Sequence, residues 1–124
     1  MMKKQQTFPP IYRGDLVIVK FEDGQGKRTH QGGNRPAVVV SNNSGNRHSE
    51  IVTLCLLSSQ IHKKHYPVHL LLEPNETNRL KESSIIMTEQ IRTVGKECIR
   101  FKIGKLTENE THSLNQVLKI SLGL

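Results

Sequence analysis

The chain has 124 residues and a mass of 14.1 kDa, the length of one domain. Leu, Ile and Val supply 32 of these residues while aromatics supply 4%, with no Trp, so aliphatic side chains must form the core. This apolar share argues against wholesale disorder, and no apolar run approaches the roughly 18 residues of a membrane span. We therefore expect a soluble, cytoplasmic protein with no membrane partner.

Basic residues outnumber acidic ones by 18 to 11, which gives a formal net charge of +7 and a pI near 9.7. A basic surface attracts polyanions, but charge alone does not separate nucleic acid from an acidic protein. The acidic residues are scattered, so no carboxylate cluster indicates a two-metal nuclease.

Metal ligands and cysteines are sparse in the sequence. His62 and His65 have the spacing of a zinc pair, but no second pair of ligands completes a site, so we expect no metal and no cofactor. Cys55 and Cys98 make neither a disulfide framework nor a zinc pattern. Cys55 lies within an apolar run, which predicts a small buried side chain.

Six runs rich in apolar and β-branched residues predict strands. In chain order they are 15–21, 36–41, 50–57, 68–72, 84–94 and 97–106. A polar, glycine-rich loop at 22–34 is longer than most hairpin loops, and long loops are often functional. A turn cluster at 42–46 and a turn-like stretch at 73–82 separate later strands.

The C-terminal segment predicts an amphipathic helix. Thr107 and Glu110 fit a capping box, and Gly123 can close the helix. One helical face carries the apolar residues Leu114, Val117, Leu118 and Leu122. Short strands followed by one terminal helix favour a mainly β (α+β) fold, a small, partly open β-barrel with a C-terminal amphipathic helix.

Three short polar motifs carry candidate chemistry. In QGGNRP (31–36), paired glycines let a backbone approach a ligand, and Arg35 offers a guanidinium that matches phosphate oxygens. In SSQ (58–60), hydroxyls at a strand end can bond a phosphate oxygen or polarise a nucleophile. In EQIRT (89–93), alternation sends Gln90 and Arg92 to one face. Each motif alone also fits a turn or a solvated face.

These motifs, in this order, resemble the MazF/PemK toxins of type II toxin–antitoxin modules. The matching stretches are RGDL (13–16), QGGNRPAVVVSNNSGN (31–46), SSQI (58–61) with Tyr66-Pro67, EQIRT (89–93) and KISLGL (119–124). The resemblance covers about residues 12–124 as one domain and leaves 1–11 as a flexible N-terminal extension.

The resemblance implies both an architecture and an activity. The architecture is an SH3-like barrel that forms a homodimer. The activity is that of a sequence-specific, ribosome-independent endoribonuclease that cuts single-stranded RNA, chiefly mRNA. It also implies a cognate, MazE-like antitoxin whose acidic, initially disordered tail lies along the RNA groove.

RNA carries its own nucleophile, the 2′-OH beside the scissile phosphate. Attack by this hydroxyl needs no metal and leaves a 2′,3′-cyclic phosphate and a 5′-OH, so the protein must supply in-line positioning and charge stabilisation. By the resemblance, Arg35 stabilises the phosphorane and is a candidate proton donor, and Ser58 bonds a non-bridging oxygen. The family's hydroxyl residue is commonly Thr, so Ser59 is an alternative to Ser58.

His30 stands where many relatives have an acidic residue, and we hypothesise that it is the general base, because imidazole titrates near neutral pH and guanidinium does not. Without Trp, the nearest aromatics for base stacking are Tyr66 and Phe21, of which Phe21 is expected in the core. The predicted RNA-binding set is Gln31, Gly32, Gly33, Asn34, Ser59, Gln60, Lys63, Lys64, Gln90 and Arg92.

A second hypothesis is a non-catalytic module on the same barrel. It would bind nucleic acid or protein, either as a gyrase poison like the CcdB toxins or as a degenerate toxin that keeps antitoxin affinity. The same basic groove would serve each of these roles, so RNA cleavage is the property that separates the two hypotheses.

Overall fold

The computed structural model describes residues 9–21, 33–61 and 66–124. The strands in these ranges are β1 (Asp15–Phe21), β2 (Gly33–Val39), β3 (Ile51–Ser58), β4 (His69–Leu72), β5 (Ser84–Gly95) and β6 (Ile99–Lys105). The helices are α1 (Asn43–His48) and α2 (Glu108–Leu122), and a single 3-10 turn (Lys96–Cys98) precedes β6.

The six strands form one antiparallel sheet in the order β4-β5-β3-β2-β1-β6. β4 and β6 are its two edges, and no pairing within the described ranges joins them, so the sheet is not closed. The predicted mainly β architecture with a C-terminal helix is confirmed, and the open sheet fits a barrel-like fold. The SH3-like connectivity stays a prediction.

The sheet bends where β5 crosses β3. Cys55 and Leu56 are neighbours on β3, but their partners on β5 are Ile91 and Met87, so residues 88–90 have no partner on β3. Such a bulge increases the local twist and turns the strand. The two halves of β5 therefore belong to differently oriented parts of the sheet.

Alternation along β3 divides the core into two clusters. Cys55 and Leu57 of β3 pack into the first cluster, which α2 completes. The β3 residues that alternate with them point to the other face and pack into the second cluster. The second cluster contains Ile11, Val17, Val19, Ala37, Val39, Val52, Leu54 and Leu56. Among the described residues, no helix combines the length and the apolar character needed to cross a membrane.

The predicted capping box of α2 is confirmed. The Thr107 hydroxyl accepts from the Glu110 N–H at 3.1 Å, and the Glu110 carboxylate accepts from the Thr107 N–H at 2.8 Å. Gly123 ends the helix in the left-handed region, with φ 73°. Leu114 and Leu118 are buried and anchor the helix on the first cluster.

The prediction of a simple turn at 42–46 is wrong, because α1 begins there. The Asn42 side chain caps α1 by accepting from the Gly45 N–H at 2.8 Å. Asn46 is buried and donates to the Ser41 carbonyl at 2.9 Å. Asn is favoured at helix caps as well as in turns, so the Asn-rich pattern does not distinguish the two.

Several strand boundaries also differ from the prediction by one to three residues, among them the starts of β2 and β6. β2 begins at Gly33, three residues early, because its pairing with β1 continues to Phe21 opposite Gly33. At the other boundary, Glu97 and Cys98 belong to the 3-10 turn, and the last strand starts at Ile99.

Candidate active site at the ends of β2 and β3

A groove of about 830 Å³ lies where β2 begins and β3 ends. The connection between β4 and β5 and part of β6 form its remaining walls. Five of the sequence-predicted site residues line it: Asn34, Arg35, Ser58, Ser59 and Gln60. The groove therefore brings together residues from two motifs that are distant in the sequence.

The pairing of β2 with β3 explains why Arg35 and Ser58 line the same groove. The two strands are antiparallel, and their pairing ends where Ala37 lies opposite Leu56. Arg35 lies two residues before Ala37, and Ser58 lies two residues after Leu56. Both residues therefore lie beyond the same end of the paired stretch, and a guanidinium and an alcohol line one groove there.

Ser58 is half-buried at the last position of β3. Its Oγ accepts a hydrogen bond from the Gln60 N–H at 3.1 Å, the role in a turn that a serine at a strand end often has. This bond uses a lone pair of the hydroxyl and leaves its proton to be donated. The neighbouring Ser59 is exposed. Ser58 is therefore oriented by the backbone and retains a donor for a phosphate oxygen.

Three further cationic residues line the groove, and the sequence motifs did not assign them to this site. Arg79 and Lys81 come from the β4–β5 connection, and Lys102 comes from β6. The Lys102 Nζ lies 3.1 Å from a carboxylate oxygen of the buried Asp15, which also accepts from the Tyr12 N–H at 2.8 Å. Within the described ranges, neither Arg79 nor Lys81 takes part in an ion pair.

Phe101 is a further residue of the groove that sequence reasoning missed. It lies opposite Ile18 in the pairing of β6 with β1, and 58% of its surface is exposed. The sequence signal for Phe101 was only its place in a predicted strand at 97–106. Whether such a residue faces core or solvent depends on pairing with β1, which is distant in the chain.

Two predicted RNA-binding residues do not reach this groove. Arg92 pairs with Leu54, well inside β3, and Gln90 lies in the bulge of β5, so neither lines the walls. Gly33 opens β2 with φ 94°, a conformation that favours glycine, and adjoins Asn34. The predicted residues His30, Gln31, Gly32, Lys63 and Lys64 lie outside the described residues, as does the His62/His65 pair.

Cys55 is fully buried in the first cluster, as predicted. Burial raises the pKa of its thiol to about 12, and the negative charge of Glu89 adds to the effect. The thiolate is therefore disfavoured, which removes Cys55 as a nucleophile at neutral pH. Within the described ranges, no group of three or more His, Cys, Asp or Glu could hold a metal ion.

A family model described as PemK-like, MazF-like toxin of type II toxin–antitoxin system matches residues 12–122. The chain belongs to the PemK/MazF toxin family. This family is known for endoribonucleases, and the resemblance drawn from the sequence motifs is confirmed.

Solved structures share the PemK/MazF fold. MazF from Deinococcus radiodurans superposes with a TM-score of 0.71 at 24% identity, over 95% of this chain and 100% of that one. An endoribonuclease in complex with its cognate antitoxin from a mycobacterial species gives a TM-score of 0.71 at 22% identity, over 94% and 97%. A MazE–MazF structure from Deinococcus radiodurans gives 0.66 at 17% identity, over 95% and 99%.

Proposed function

We propose that this PemK/MazF-family toxin cleaves single-stranded RNA, chiefly cytoplasmic mRNA, at specific sequences and without a metal. The observation that carries the proposal is the groove that Arg35 on β2 and Ser58 at the end of β3 both line. Guanidinium and hydroxyl donors in that arrangement suit the non-bridging oxygens of a phosphodiester.

The proposed reaction is an internal transfer within the RNA. The 2′-oxygen loses its proton and bonds to phosphorus, the bond from phosphorus to the 5′-oxygen breaks, and that oxygen takes up a proton. The products are a 2′,3′-cyclic phosphate and a 5′-OH. Because the nucleophile belongs to the substrate, the protein has to hold it in line and stabilise charge at phosphorus. Arg35 would bind two of the phosphorane oxygens, and the Ser58 hydroxyl would donate to one of them.

The charge of the groove supports an anionic substrate. Among the described residues that line it, Arg35, Arg79, Lys81 and Lys102 are basic and Glu82 alone is acidic. In the described part of the chain, the Lys102 ammonium is paired with Asp15, whereas Arg79 and Lys81 take part in no ion pair, so these two cations add attraction for phosphate. A polyanion is therefore the ligand class that this surface favours.

The proposed reaction also needs a general base that removes the proton from the 2′-OH. A guanidinium stays protonated at neutral pH, so Arg35 fits the role of stabiliser better than that of base. We propose His30 for the base. An unchanged cleavage rate and pH profile in His30→Ala would remove it from the mechanism.

The experiment is cleavage of single-stranded RNA by the purified protein in the presence of EDTA. We expect fragments with 2′,3′-cyclic phosphate and 5′-OH ends, and we expect them to vanish in Arg35→Ala. Arg47→Ala, on the exposed face of α1 and outside the groove, is the matched control and should cleave normally. Intact RNA with retained binding would instead favour the non-catalytic module, and cleavage only after Mg²⁺ is added would contradict metal independence.

The partner in the module would be a MazE-like antitoxin with an acidic tail. The cationic groove supports binding of such a tail, which would then compete with RNA for Arg35 and Arg79. We expect a synthetic acidic tail peptide to inhibit cleavage competitively. Inhibition that leaves the apparent KM for RNA unchanged would contradict a shared groove.

We also propose that the toxin acts as a homodimer. Apolar side chains at the end of α2, among them Ile120, Leu122 and Leu124, are exposed in the single chain. Leu122 and Leu124 border a second groove of about 680 Å³ that also includes Ile91. Light scattering should give twice the mass of one chain, whereas a monomer at assay concentrations would contradict the proposal.

A further inference from the structure

Phe101 is the only aromatic residue among those that line the groove in the described part of the chain. It lies on the edge strand β6, and more than half of its surface is exposed, 58%. Ile18, Leu80 and Ile103 line the same groove, so the ring belongs to an apolar surface with cationic residues around it. An exposed aromatic ring beside cations is the combination with which proteins bind single-stranded nucleic acid.

Phe21 and Tyr66, the two aromatic residues that the sequence suggested for base stacking, do not line this groove. Phe21 is partly buried and packs against the second core cluster. Tyr66 is exposed, but it does not line the groove, and its ring meets the His69 ring edge-on with centroids 5.2 Å apart. Phe101 is therefore the aromatic that the fold brings to the proposed substrate.

Arg79 lines the same groove, and its backbone has a conformation that glycine would ordinarily adopt. Its φ is 57°, and no other non-glycine residue in the described ranges has a positive φ. The corner is held firmly, because Arg79 donates its N–H to the Asn75 carbonyl at 2.9 Å and the next N–H, of Leu80, bonds the Asn78 side chain at 3.0 Å. The fold thus places a long cationic side chain on a left-handed corner at the groove.

We propose that Phe101 and Arg79 form a nucleotide subsite beside the Arg35–Ser58 pair. A base of the RNA stacks on the Phe101 ring, and an adjacent phosphate bonds the Arg79 guanidinium. This inference rests on the proposed RNA substrate. Every base has a π-face, so the subsite adds affinity and position along the strand without choosing the base. An acidic peptide would use Arg79 but has no group that requires the Phe101 ring.

The test is binding of a fully 2′-O-methylated, random-sequence, single-stranded RNA pool, which cannot react because it has no free 2′-OH. Phe101→Ala should raise the Kd about 5- to 150-fold, the measured range for loss of one stacked base. Phe101→Trp keeps an aromatic ring, so its Kd should stay within a few-fold of the wild-type Kd. Arg79→Gly should lower the salt dependence of log Kd by about 0.7, the value for one phosphate contact on a single strand.

Fold integrity is separable from binding in these variants. Phe101 is more than half exposed, so Phe101→Ala should unfold close to the wild-type midpoint. Arg79→Gly places glycine where φ favours it and should unfold at or above that midpoint. Tyr66→Ala is the matched aromatic control and should bind the pool like wild type. A larger loss in Tyr66→Ala than in Phe101→Ala, or no loss in Phe101→Ala, would overturn the subsite.

Two further readouts separate the subsite from the proposed function. If unmodified RNA stays intact in the wild-type protein while the pool binds and depends on Phe101, the cleavage proposal fails and the subsite stands. If Phe101→Ala and Arg79→Gly weaken only an acidic antitoxin peptide and leave RNA binding unchanged, the subsite is wrong and the surface belongs to the antitoxin.

Discussion

The Asn78 side chain donates a hydrogen bond to the carboxylate of Glu110 over 3.0 Å. Asn78 is fully buried in the β4–β5 connection, and the other oxygen of Glu110 completes the capping box of α2. The Asn78 amide also donates to the Glu73 carbonyl, and its oxygen accepts from the N–H groups of Asn75 and Leu80. One carboxylate therefore stabilises a helix terminus and holds the segment that presents Arg79 and Lys81 to the groove.

Asn78→Ala is expected to lower the free energy of unfolding by about 2–4 kcal/mol, because partly buried N–H groups lose their acceptor and Glu110 loses a donor. Urea denaturation measures this change. Asn109→Ala, an exposed position on α2, is the matched control and should change stability by no more than about 0.5 kcal/mol. Equal losses in the two variants would show that the buried network contributes nothing specific.

Gly104→Ala tests the contact between β6 and the same connection. A Cβ at Gly104 would lie 2.5 Å from the Asn78 carbonyl oxygen and 2.7 Å from that of Thr77, both backbone atoms. The connection has to move, so we expect a loss of about 1–3 kcal/mol of stability. RNA cleavage should fall as well, because Arg79 moves with the connection.

Gly45→Ala is the control for Gly104→Ala. A Cβ at Gly45 meets only the Asn42 side chain, at an ordinary 3.5 Å, and Gly45 lies within α1. This variant should be neutral or more stable by up to about 1 kcal/mol, since alanine favours helix. Normal stability and cleavage in Gly104→Ala would contradict the tight contact.

Local patterns predicted the parts of the fold that local interactions determine. The strand at 15–21 and the Thr107–Glu110 capping box appear as predicted because their signals lie within a few adjacent residues. Asn78 shows the limit of such patterns. In the sequence it is one polar residue of a turn, whereas its burial depends on Glu110, which lies 32 positions away in the chain.

The candidate site could likewise be predicted only where short local motifs mark its residues. Arg35 and Ser58 follow from motifs at strand ends, and both line the groove; their catalytic roles stay a prediction. Arg79 and Phe101 lie in segments whose sequence pattern did not predict that they line a groove with residues of β2. Their place in the groove comes from the sheet order and from the docking of the β4–β5 connection on β6, and both are long-range properties.

The two cysteines should differ sharply in reactivity. Burial raises the pKa of the Cys55 thiol to about 12, while Cys98 is half-buried. Iodoacetamide at pH 8 should therefore modify Cys98 and spare Cys55 until the protein unfolds, as mass spectrometry of digested protein can show. Rapid modification of Cys55 in the folded protein would contradict its burial.

The same shift predicts a pH dependence of stability. The unfolded state ionises Cys55 near its ordinary value of 9.0, and the folded state holds the proton to about pH 12. Between these two pH values only the unfolded state loses the Cys55 proton, which favours unfolding. The contribution of Cys55 to the free energy of unfolding is therefore fully present below pH 9 and decreases as the pH rises from 9 towards 12. Cys55→Ala should lack this part of the alkaline decline, and parallel stability curves for the two proteins would refute the assignment.

Ser58 offers the sharpest test of the proposed chemistry. Ser58→Ala should reduce kcat about 10²- to 10³-fold, since one donor to the transition-state oxygen is lost and its fold contacts are few. Ser58→Thr keeps the hydroxyl and restricts its rotamer, so it should retain most of the activity. Single-turnover cleavage of RNA in EDTA measures these rates.

Ser59→Ala is the matched control, because it removes an exposed hydroxyl from the next residue in the same groove. It should cleave at close to the wild-type rate. If Ser59→Ala lost activity and Ser58→Ala kept it, the hydroxyl role would pass to Ser59. Ser58 would then have only the structural role of accepting a hydrogen bond from the Gln60 N–H at the end of β3.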